Sequence, residues 1–458
     1  MSITIDLPKE EFVESVAYWM LDRLQNRKNI KEGDVLYKAN VSFALSFMDG
    51  DLDEKLEGQS VSLGLRVIDA EGRQGIAYTN MLTKDVLTQV IEWATYNCQN
   101  NDPNPFAGLN HECNRAFQDQ DIFDPLIAEG PGFERGEKIC SSISDEVRCI
   151  DKRVTSIREA FYGEGYEQTL YLSSAGFYGW QRETVARCDV TLIMSDDNKV
   201  EIGGFGEERR YANDLDYLSI ARHAVQRTGL TLGGNPLKSG RYIVVLDSVA
   251  AASIVSLLED SLLADSVHKG KSWLAGKMGH QVVSCNVNLV DDATVKRGIG
   301  SYAFDGEGVP AQKTVLLESG VLTNFLYNLE HARMDGVPST GNCVRGTGSL
   351  PEVGASNLFI TPGTRNLRSL LSGINFGIYV VDLLGLHTFD PTTGDLSLGV
   401  KGACIKKGMI EEPVSGMTIA GNIYDILSRV VEVGSDLKFY GSVGSPSLVI
   451  EDVASAGN

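Results

Sequence analysis

Residues 35–50 read VLYKANVSFALSFMDG, and this stretch decides the first part of the fold. Apolar and polar residues alternate along much of it, and it ends in an Asp-Gly pair, which is typical of a strand entering a hairpin. The segment SVSLGLRVIDAEGRQGIAYTN (60–80) continues the alternation and contains a second turn signal, Glu71-Gly72. We therefore expect antiparallel hairpins near the start of the chain.

Helical patterns flank these hairpins. Apolar residues recur on one helical face from Phe12 to Leu24, and KDVLTQVIEWATYNC (84–98) returns to the same spacing. Residues 154–205 alternate again and predict further strands. Gly, Pro and Ser then cluster in TLGGNPLKSG (231–240), which favours a domain boundary there.

The second half opens with the strand-like YIVVLD (242–247) and contains KTVLLESGVLTNFLYN (313–328), a hairpin across Ser319-Gly320. Hairpins mixed with helices indicate an α+β fold rather than alternating βαβ units. We predict two domains: an N-terminal domain of helices and sheet at residues 1–235, and a C-terminal domain at 236–458 rich in antiparallel sheet with a few helices.

The charge balance excludes some classes of partner. The chain has 458 residues and a net charge of -20, from 61 acidic and 41 basic residues. Phosphate backbones and anionic membrane surfaces attract clusters of Lys and Arg, and the chain has no basic run. We therefore expect neither nucleic acid nor membrane as a partner, and we interpret the acidity as favouring solubility.

The sequence also predicts a cytoplasmic protein. Its first residues lack the basic and apolar segments of a signal peptide. The longest apolar run, IVVLDSVAAASIVSLL (243–258), is interrupted by Asp247 and fits a strand, a turn and a buried helix better than a membrane span.

Cysteine usage agrees with a reducing compartment. The chain contains no CxxC motif, and its scattered cysteines predict free, mostly buried thiols rather than disulfides. They are Cys98, Cys113, Cys140, Cys149, Cys188, Cys285, Cys343 and Cys404.

The histidines do not form a zinc-protease motif. No two are separated by helical spacing among His111, His223, His268, His280, His331 and His387. His111-Glu112 begins like HExxH, but Arg115 stands where the second ligand is needed, and the segment reads as a surface loop.

Nucleotide-binding motifs are absent as well. Gly270-Lys271-Ser272 resembles the end of a phosphate-binding loop, yet Asp265 stands where that loop needs a glycine. The glycine-rich runs GGFGEE (203–208), DGEGVP (305–310) and RGTGSLPEVG (345–354) lack the dinucleotide spacing, and we interpret them as hairpin turns.

The chain resembles the TldD/PmbA family, and more closely its TldE (PmbA) branch. The N-terminal half contributes the less specific GLRVIDAEGRQGIAYTN (64–80). The C-terminal half carries most of the resemblance, in DSVHKGKSWLAGKMGHQV (265–282), DGEGVPAQKTVLLESGVLTNFLYN (305–328), RGTGSLPEVGASNLFI (345–360), TGDLSLGVKGACIKKGMIEEPVSGMTIAGNIYDIL (393–427) and SPSLVIEDVASAG (445–457).

The resemblance implies an assembly of two related subunits that degrades or trims peptides, in which the TldD subunit carries HExxxH and a further cysteine ligand. Alignment on KGKSWLAGKMG puts Val255 at the first histidine, Ser256 at the glutamate and Asp260 at the second histidine. Phe439 and Tyr440 stand where the cysteine is expected. No ligand of that set is present, because Val255 cannot bind zinc and Ser256 cannot act as a general base.

The resemblance therefore implies a subunit with no catalytic, metal or cofactor residues of its own, which helps to enclose the substrate cavity. Its partners would be an HExxxH-bearing, TldD-like subunit that supplies zinc, and an unfolded or extended peptide, and in isolation the chain could form a homo-oligomer. VAAASIVSLLEDSLL (249–263) would be a buried helix. Some members of the family are called modulators of DNA gyrase, which the acidity suggests is an indirect role.

Two alternatives stay open. The chain could be a stand-alone metal-dependent peptidase with a site built from His268, His280 and distant acids. It could instead be a homo-oligomeric regulatory or binding protein without proteolysis.

Overall fold

A computed structural model describes residues 7–25, 27–112, 117–130 and 132–457. Cys113 and Arg115 therefore lie outside the described residues. The first half forms one antiparallel six-stranded sheet in the order β3-β2-β1-β4-β5-β6. Its strands are β1 (Glu32–Met48), β2 (Asp51–Ile68), β3 (Gln74–Thr79), β4 (Val154–Ser173), β5 (Tyr178–Asp196) and β6 (Lys199–Arg209).

The first hairpin forms as the sequence predicts. β1 ends at Met48 and β2 begins at Asp51, so the connection is the two-residue turn Asp49-Gly50. Both residues have positive φ, 50° and 101°, which is the backbone of a tight turn matched to the strand twist. This turn sets the register of the long β1–β2 pair.

Strand alternation gives the first sheet two different faces. On β1, the buried Val35, Tyr37 and Ala39 pack with the helices at one half of the sheet, and Phe43 and Leu45 pack with those at the other. These helices are α1 (Glu10–Gln25), α2 (Lys84–Asn100), α3 (Pro125–Ala128), α4 (Phe133–Ile150) and α5 (Tyr217–Thr231), with a 3-10 turn at Ala212–Asp214.

The second half contains two larger sheets. One has the order β16-β15-β14-β7-β20-β17, and an extra pairing of β16 with β20 closes five of its strands into a ring. Its strands are β7 (Gly240–Leu246), β14 (Phe376–Leu384), β15 (Asp395–Lys406), β16 (Met409–Asn422), β17 (Val430–Val433) and β20 (Leu448–Ala456). Most neighbours are antiparallel, but β7 and β14 run parallel.

The other large sheet has the order β10-β9-β8-β13-β19-β18, and β11 pairs with β12 separately. These strands are β8 (Leu289–Asp292), β9 (Lys313–Glu318), β10 (Val321–Leu322), β11 (Cys343–Val344), β12 (Glu352–Val353), β13 (Leu358–Ile360), β18 (Lys438–Tyr440) and β19 (Val443–Ser445). As predicted, β9 and β10 form a hairpin across Ser319-Gly320, both with positive φ.

The helices of the second half are short. They are α6 (Ser248–Ser256), α7 (Glu259–Leu262), α8 (Ala264–His268), α9 (Leu329–Asp335), α10 (Leu367–Ser372) and α11 (Ile423–Ser428), with a 3-10 turn at Leu386–Thr388. The α+β class is confirmed. The two-domain division at residue 235 stays a prediction.

One expectation is wrong in detail. Residues 249–263 do not form one continuous helix, because α6 ends at Ser256 and α7 begins at Glu259. Leu257 and Leu258 donate backbone hydrogen bonds three residues back, to Ile254 and Val255, which tightens the last turn of α6 and ends it.

The second face of the first sheet is joined to the C-terminal half by buried charges. The Asp34 carboxylate lies 2.6 Å from Arg66 Nη2 and 2.7 Å from Arg345 Nη1, and all three side chains are buried. Arg66 Nη1 also lies 3.6 Å from Glu307 Oε1. We call Asp34, Arg66, Glu307 and Arg345 the buried charge cluster. Each half contributes one acid and one arginine, and two of the pairs, Asp34 with Arg345 and Arg66 with Glu307, join the halves.

The cysteine prediction is confirmed for the residues described. The seven cysteines in those ranges are free. Cys149 and Cys285 are exposed, and the other five are buried.

We expect Asp34→Ala to lower the free energy of unfolding by about 3–5 kcal/mol, because it leaves Arg345 buried without its carboxylate. Urea unfolding followed by circular dichroism measures the change. Asp51→Ala, at an exposed position on β2, is the matched control and should shift stability by less than about 0.5 kcal/mol. Equal stability of the two variants would show that the cluster is not a stabilising link.

The buried carboxyl group of Asp305 should make the stability of the fold depend on pH. Burial, helped by the neighbouring Glu307, raises the pKa of Asp305 from an ordinary value of 3.8 to about 7. Between these values the folded chain retains a proton that the unfolded chain has lost. Stability from this group is therefore fully present at about pH 4 and falls as the pH rises to about 7. Urea midpoints across this range should fall less steeply for Asp305→Asn than for the wild type, and Asp53→Asn should keep the wild-type slope.

Candidate functional site

Helix α6 is held at its start by an interaction between the two halves of the chain. Asp247 caps the helix by accepting a hydrogen bond from the Ala250 amide at 2.8 Å. Arg227, on α5, donates to the other carboxylate oxygen of Asp247 and to the Val381 carbonyl on β14. Burial raises the pKa of Asp247, whereas Arg227 opposes that rise. One guanidinium thus fixes α5, α6 and β14 together.

Aromatic side chains lie beside this pair. The Tyr440 hydroxyl is 3.0 Å from the Ser248 hydroxyl at the first turn of α6. Its ring meets Phe205 of β6 edge-on, with centroids 6.0 Å apart, and Phe205 contacts His223 at 5.1 Å. Burial raises the pKa of Tyr440 to about 12, so the phenol is neutral near pH 7.

These groups surround a cavity of about 220 Å³ between the two halves, which we call the β6 cavity. Its wall is contributed by β6, α5, α6, β14, β15 and β18. The lining residues are Ile202, Gly203, Gly204, Phe205, Gly206, Arg227, Thr228, Thr231, Val249, Val381, Asp382, Lys401 and Tyr440.

The positions aligned with HExxxH do not converge on a metal site. Val255 is 0% exposed within the apolar core, whereas Ser256 and Asp260 are exposed. Tyr440, at the position expected for the cysteine ligand, contacts Ser248. Ser248 precedes Val255 by seven residues, so this contact lies about 10 Å from Val255 along the helix axis. An apolar side chain buried among apolar neighbours offers zinc no donor. These positions of the chain therefore do not form the zinc site that the resemblance assigns to the TldD-like partner.

The other candidate metal site is also dispersed. His268 Nε2 lies 2.8 Å from Asp335 Oδ1, and its ring stacks on His331 at 5.2 Å rather than contacting His280. Within the ranges that the structure describes, no group of three or more His, Cys, Asp or Glu side chains is placed to hold a metal ion. The exposed His111 lies in a loop, with Nε2 3.0 Å from Glu32.

The Gly270-Lys271-Ser272 segment has a structural role. The Ser272 hydroxyl is buried and donates to the Ser261 carbonyl at 2.6 Å, so it is not free for a phosphate. Asp265 is paired with Lys269 at 2.8 Å in the preceding helix.

The interpretation of GGFGEE as a hairpin turn is wrong, since residues 203–208 lie inside β6. Gly203 is needed for packing: a Cβ there would lie 2.4 Å from the Thr228 hydroxyl oxygen on α5. The other two glycine-rich runs lie in loops and short bridges, as expected.

Sequence reasoning missed Arg227 and Phe205 as parts of a site. The glycine run was the available signal, because glycine inside a strand often marks close approach of another backbone.

Comparison with known proteins gives the family. Three domain models of one family match the chain: PmbA/TldA metallopeptidase domain 1 at residues 33–98, the central domain at 129–232 and the C-terminal domain at 239–457. Together they span most of its length. The chain belongs to the PmbA/TldD metallopeptidase family.

Relatives cover almost the whole chain. A protein named metalloprotease TldD homolog, from Buchnera aphidicola subsp. Schizaphis graminum, is 25% identical over 434 residues, which is 91% of this chain and 88% of that protein. Its name includes TldD, so likeness alone does not place this chain in the TldE branch.

Solved structures share the fold. A Thermotoga maritima protein, named provisionally as a modulator of a DNA gyrase, has a TM-score of 0.89 and 24% identity over 97% of this chain and 100% of that one. TldE from Thermococcus kodakarensis has a TM-score of 0.84 and 22% identity over the same shares of the two chains. In the described residues, no helix has the length and apolarity needed to cross a membrane.

The burial of Val255 predicts a stability effect at the first ligand position. Val255→His puts a polar ring into the core without a partner and should lower the free energy of unfolding by about 2–3 kcal/mol. The matched control is Ser256→His, at the exposed neighbour, with an expected change below about 0.5 kcal/mol. Urea unfolding compares them, and a Val255→His variant as stable as the control would mean that this side of α6 can admit a ligand.

Proposed function

We propose that this chain is the non-metal-binding subunit of a TldD/TldE-like heteromeric metallopeptidase that degrades or trims peptides. It helps to form the enclosed substrate cavity, and an HExxxH-bearing, TldD-like partner supplies zinc. The observation that carries the proposal is the burial of Val255 at 0% exposure, with Ser256 and Asp260 turned away from it. The chain shares the family fold but has no ligand set at these positions.

The same proposal covers location and other partners. We place the subunit in the cytoplasm, in keeping with seven free cysteines among the residues described. A net charge of -20 opposes direct binding to DNA, so any effect on DNA gyrase would be indirect. The peptide substrate is unfolded or extended, since an enclosed cavity admits a chain only without its tertiary structure.

The test begins with the metal content of the purified chain alone, measured by elemental analysis after dialysis. We expect near-zero zinc and no peptidase activity. Addition of a TldD-like subunit should give cleavage of an unstructured peptide, and replacing the HExxxH glutamate of that partner should abolish it.

Two outcomes would overturn the proposal. About one tightly held metal per chain would indicate a stand-alone metal peptidase, with His268 and His280 the first residues to replace. A stable homo-oligomer that never associates with a TldD-like subunit would indicate a regulatory or binding protein.

A further inference from the structure

Strand β6 has one unpaired edge. It is the last strand of the first sheet and pairs through Lys199–Arg209 with β5 alone. Among the residues described, no strand pairs with its other side. Unpaired strand edges expose backbone N–H and C=O groups that can bind another extended chain.

The β6 cavity lies along this edge. Five consecutive residues of β6, Ile202 to Gly206, line it. Successive side chains of a strand point to opposite faces of the sheet. Ile202 and Phe205, the two lining residues of β6 with side chains, lie on opposite faces, so a cavity bordered by both reaches the strand edge. Since the opposite edge is paired with β5, the cavity borders the free one.

The glycines leave the backbone of this edge accessible. Residues 203, 204 and 206 have no side chain, so three of the five lining positions present main chain to the cavity. Each is fixed as glycine by a close neighbour on α5 or β5: a Cβ would lie 2.4 Å from Thr228 at 203, 2.5 Å from Val190 at 204 and 2.4 Å from Asp189 at 206.

The rest of the wall is mixed: it has apolar side chains, two paired cations and the carboxylate of Asp382, which disfavours an anionic ligand. Phe205, Val249, Val381 and Tyr440 contribute apolar surface. The two cations in the wall are already paired, Arg227 with Asp247 and Lys401 with Glu201, the latter at 2.6 Å. A volume of about 220 Å³ is below the roughly 300–1,000 Å³ of a pocket for a whole small molecule, so it suits one side chain of a longer ligand.

We infer that the free edge of β6 binds an extended peptide by backbone pairing, and that the β6 cavity accepts one large apolar side chain of that peptide. This inference rests on the proposed function and specifies where this subunit holds its substrate. It gives the subunit a preference for leucine-like or phenylalanine-like residues without a catalytic role.

The test uses the purified full-length chain without a partner and a fluorescein-labelled peptide with one leucine in a Ser/Thr/Lys background. Fluorescence polarisation should show binding that weakens about tenfold when that leucine is replaced by glycine. A second peptide keeps the leucine but has N-methylated amides at alternate residues on either side of it. It should bind at least about tenfold more weakly when the methyl groups face β6.

The matched protein variants are Ile202→Glu and Val200→Glu. Both residues lie on one face of β6 and are exposed, 48% and 66%, but only Ile202 lines the cavity. Thermal unfolding should show that both variants fold like the wild type. Ile202→Glu should weaken leucine-peptide binding about tenfold, and Val200→Glu should leave it within about twofold.

Three results would overturn the inference. They are equal weakening of peptide binding by the two variants, unchanged binding after the leucine is replaced or the amides are N-methylated, and no peptide binding by the wild-type chain. These failures are distinguishable from failure of the proposed function. If the wild-type chain binds no peptide yet still supports cleavage when mixed with a TldD-like subunit, the subunit role stands and the β6 site is wrong.

Discussion

The buried carboxylate of Asp34 is the central charged contact between the two halves of this protein. It sits on β1 between two arginines that come from different halves, Arg66 and Arg345. Burying a charge costs several kcal/mol unless it is paired, so none of these groups is tolerable in an apolar interior on its own. The contact between halves is therefore specific in position as well as favourable, since a shift of either half would leave a charge unpaired.

Successive side chains of β1 point to opposite faces of the sheet, so one strand contacts both the helices and the C-terminal half. Its odd-numbered residues pack against helices, while Asp34 and Leu36 point to the opposite face, where Leu36 shares an apolar cluster with Phe304 of the second half. A register slip of one residue would exchange the two sets. The Asp49-Gly50 turn fixes the register of β1 with β2. The conformational preference of two residues therefore helps to place Asp34 and Leu36 on the face that contacts the C-terminal half.

Much of the fold could be predicted from the sequence, because hairpins and amphipathic helices depend on residues close together in the chain. The Asp49-Gly50 and Ser319-Gly320 turns and the helix at 84–98 are examples. The break after Ser256 was not predicted, because Leu257 and Leu258 continue an apolar pattern. The candidate site was largely missed: Arg227 binds Asp247 and Val381, and contacts so distant in sequence leave no local pattern.

The packing of Gly203 against Thr228 connects the first sheet to the second half of the chain. Because residue 203 has no side chain, the Thr228 side chain of α5 packs directly on the backbone of β6, and Arg227 on the same helix is bound to Asp247 at the start of α6. The edge of β6 is therefore connected to the first turn of α6 by two successive contacts made from one helix, α5, without an intervening loop.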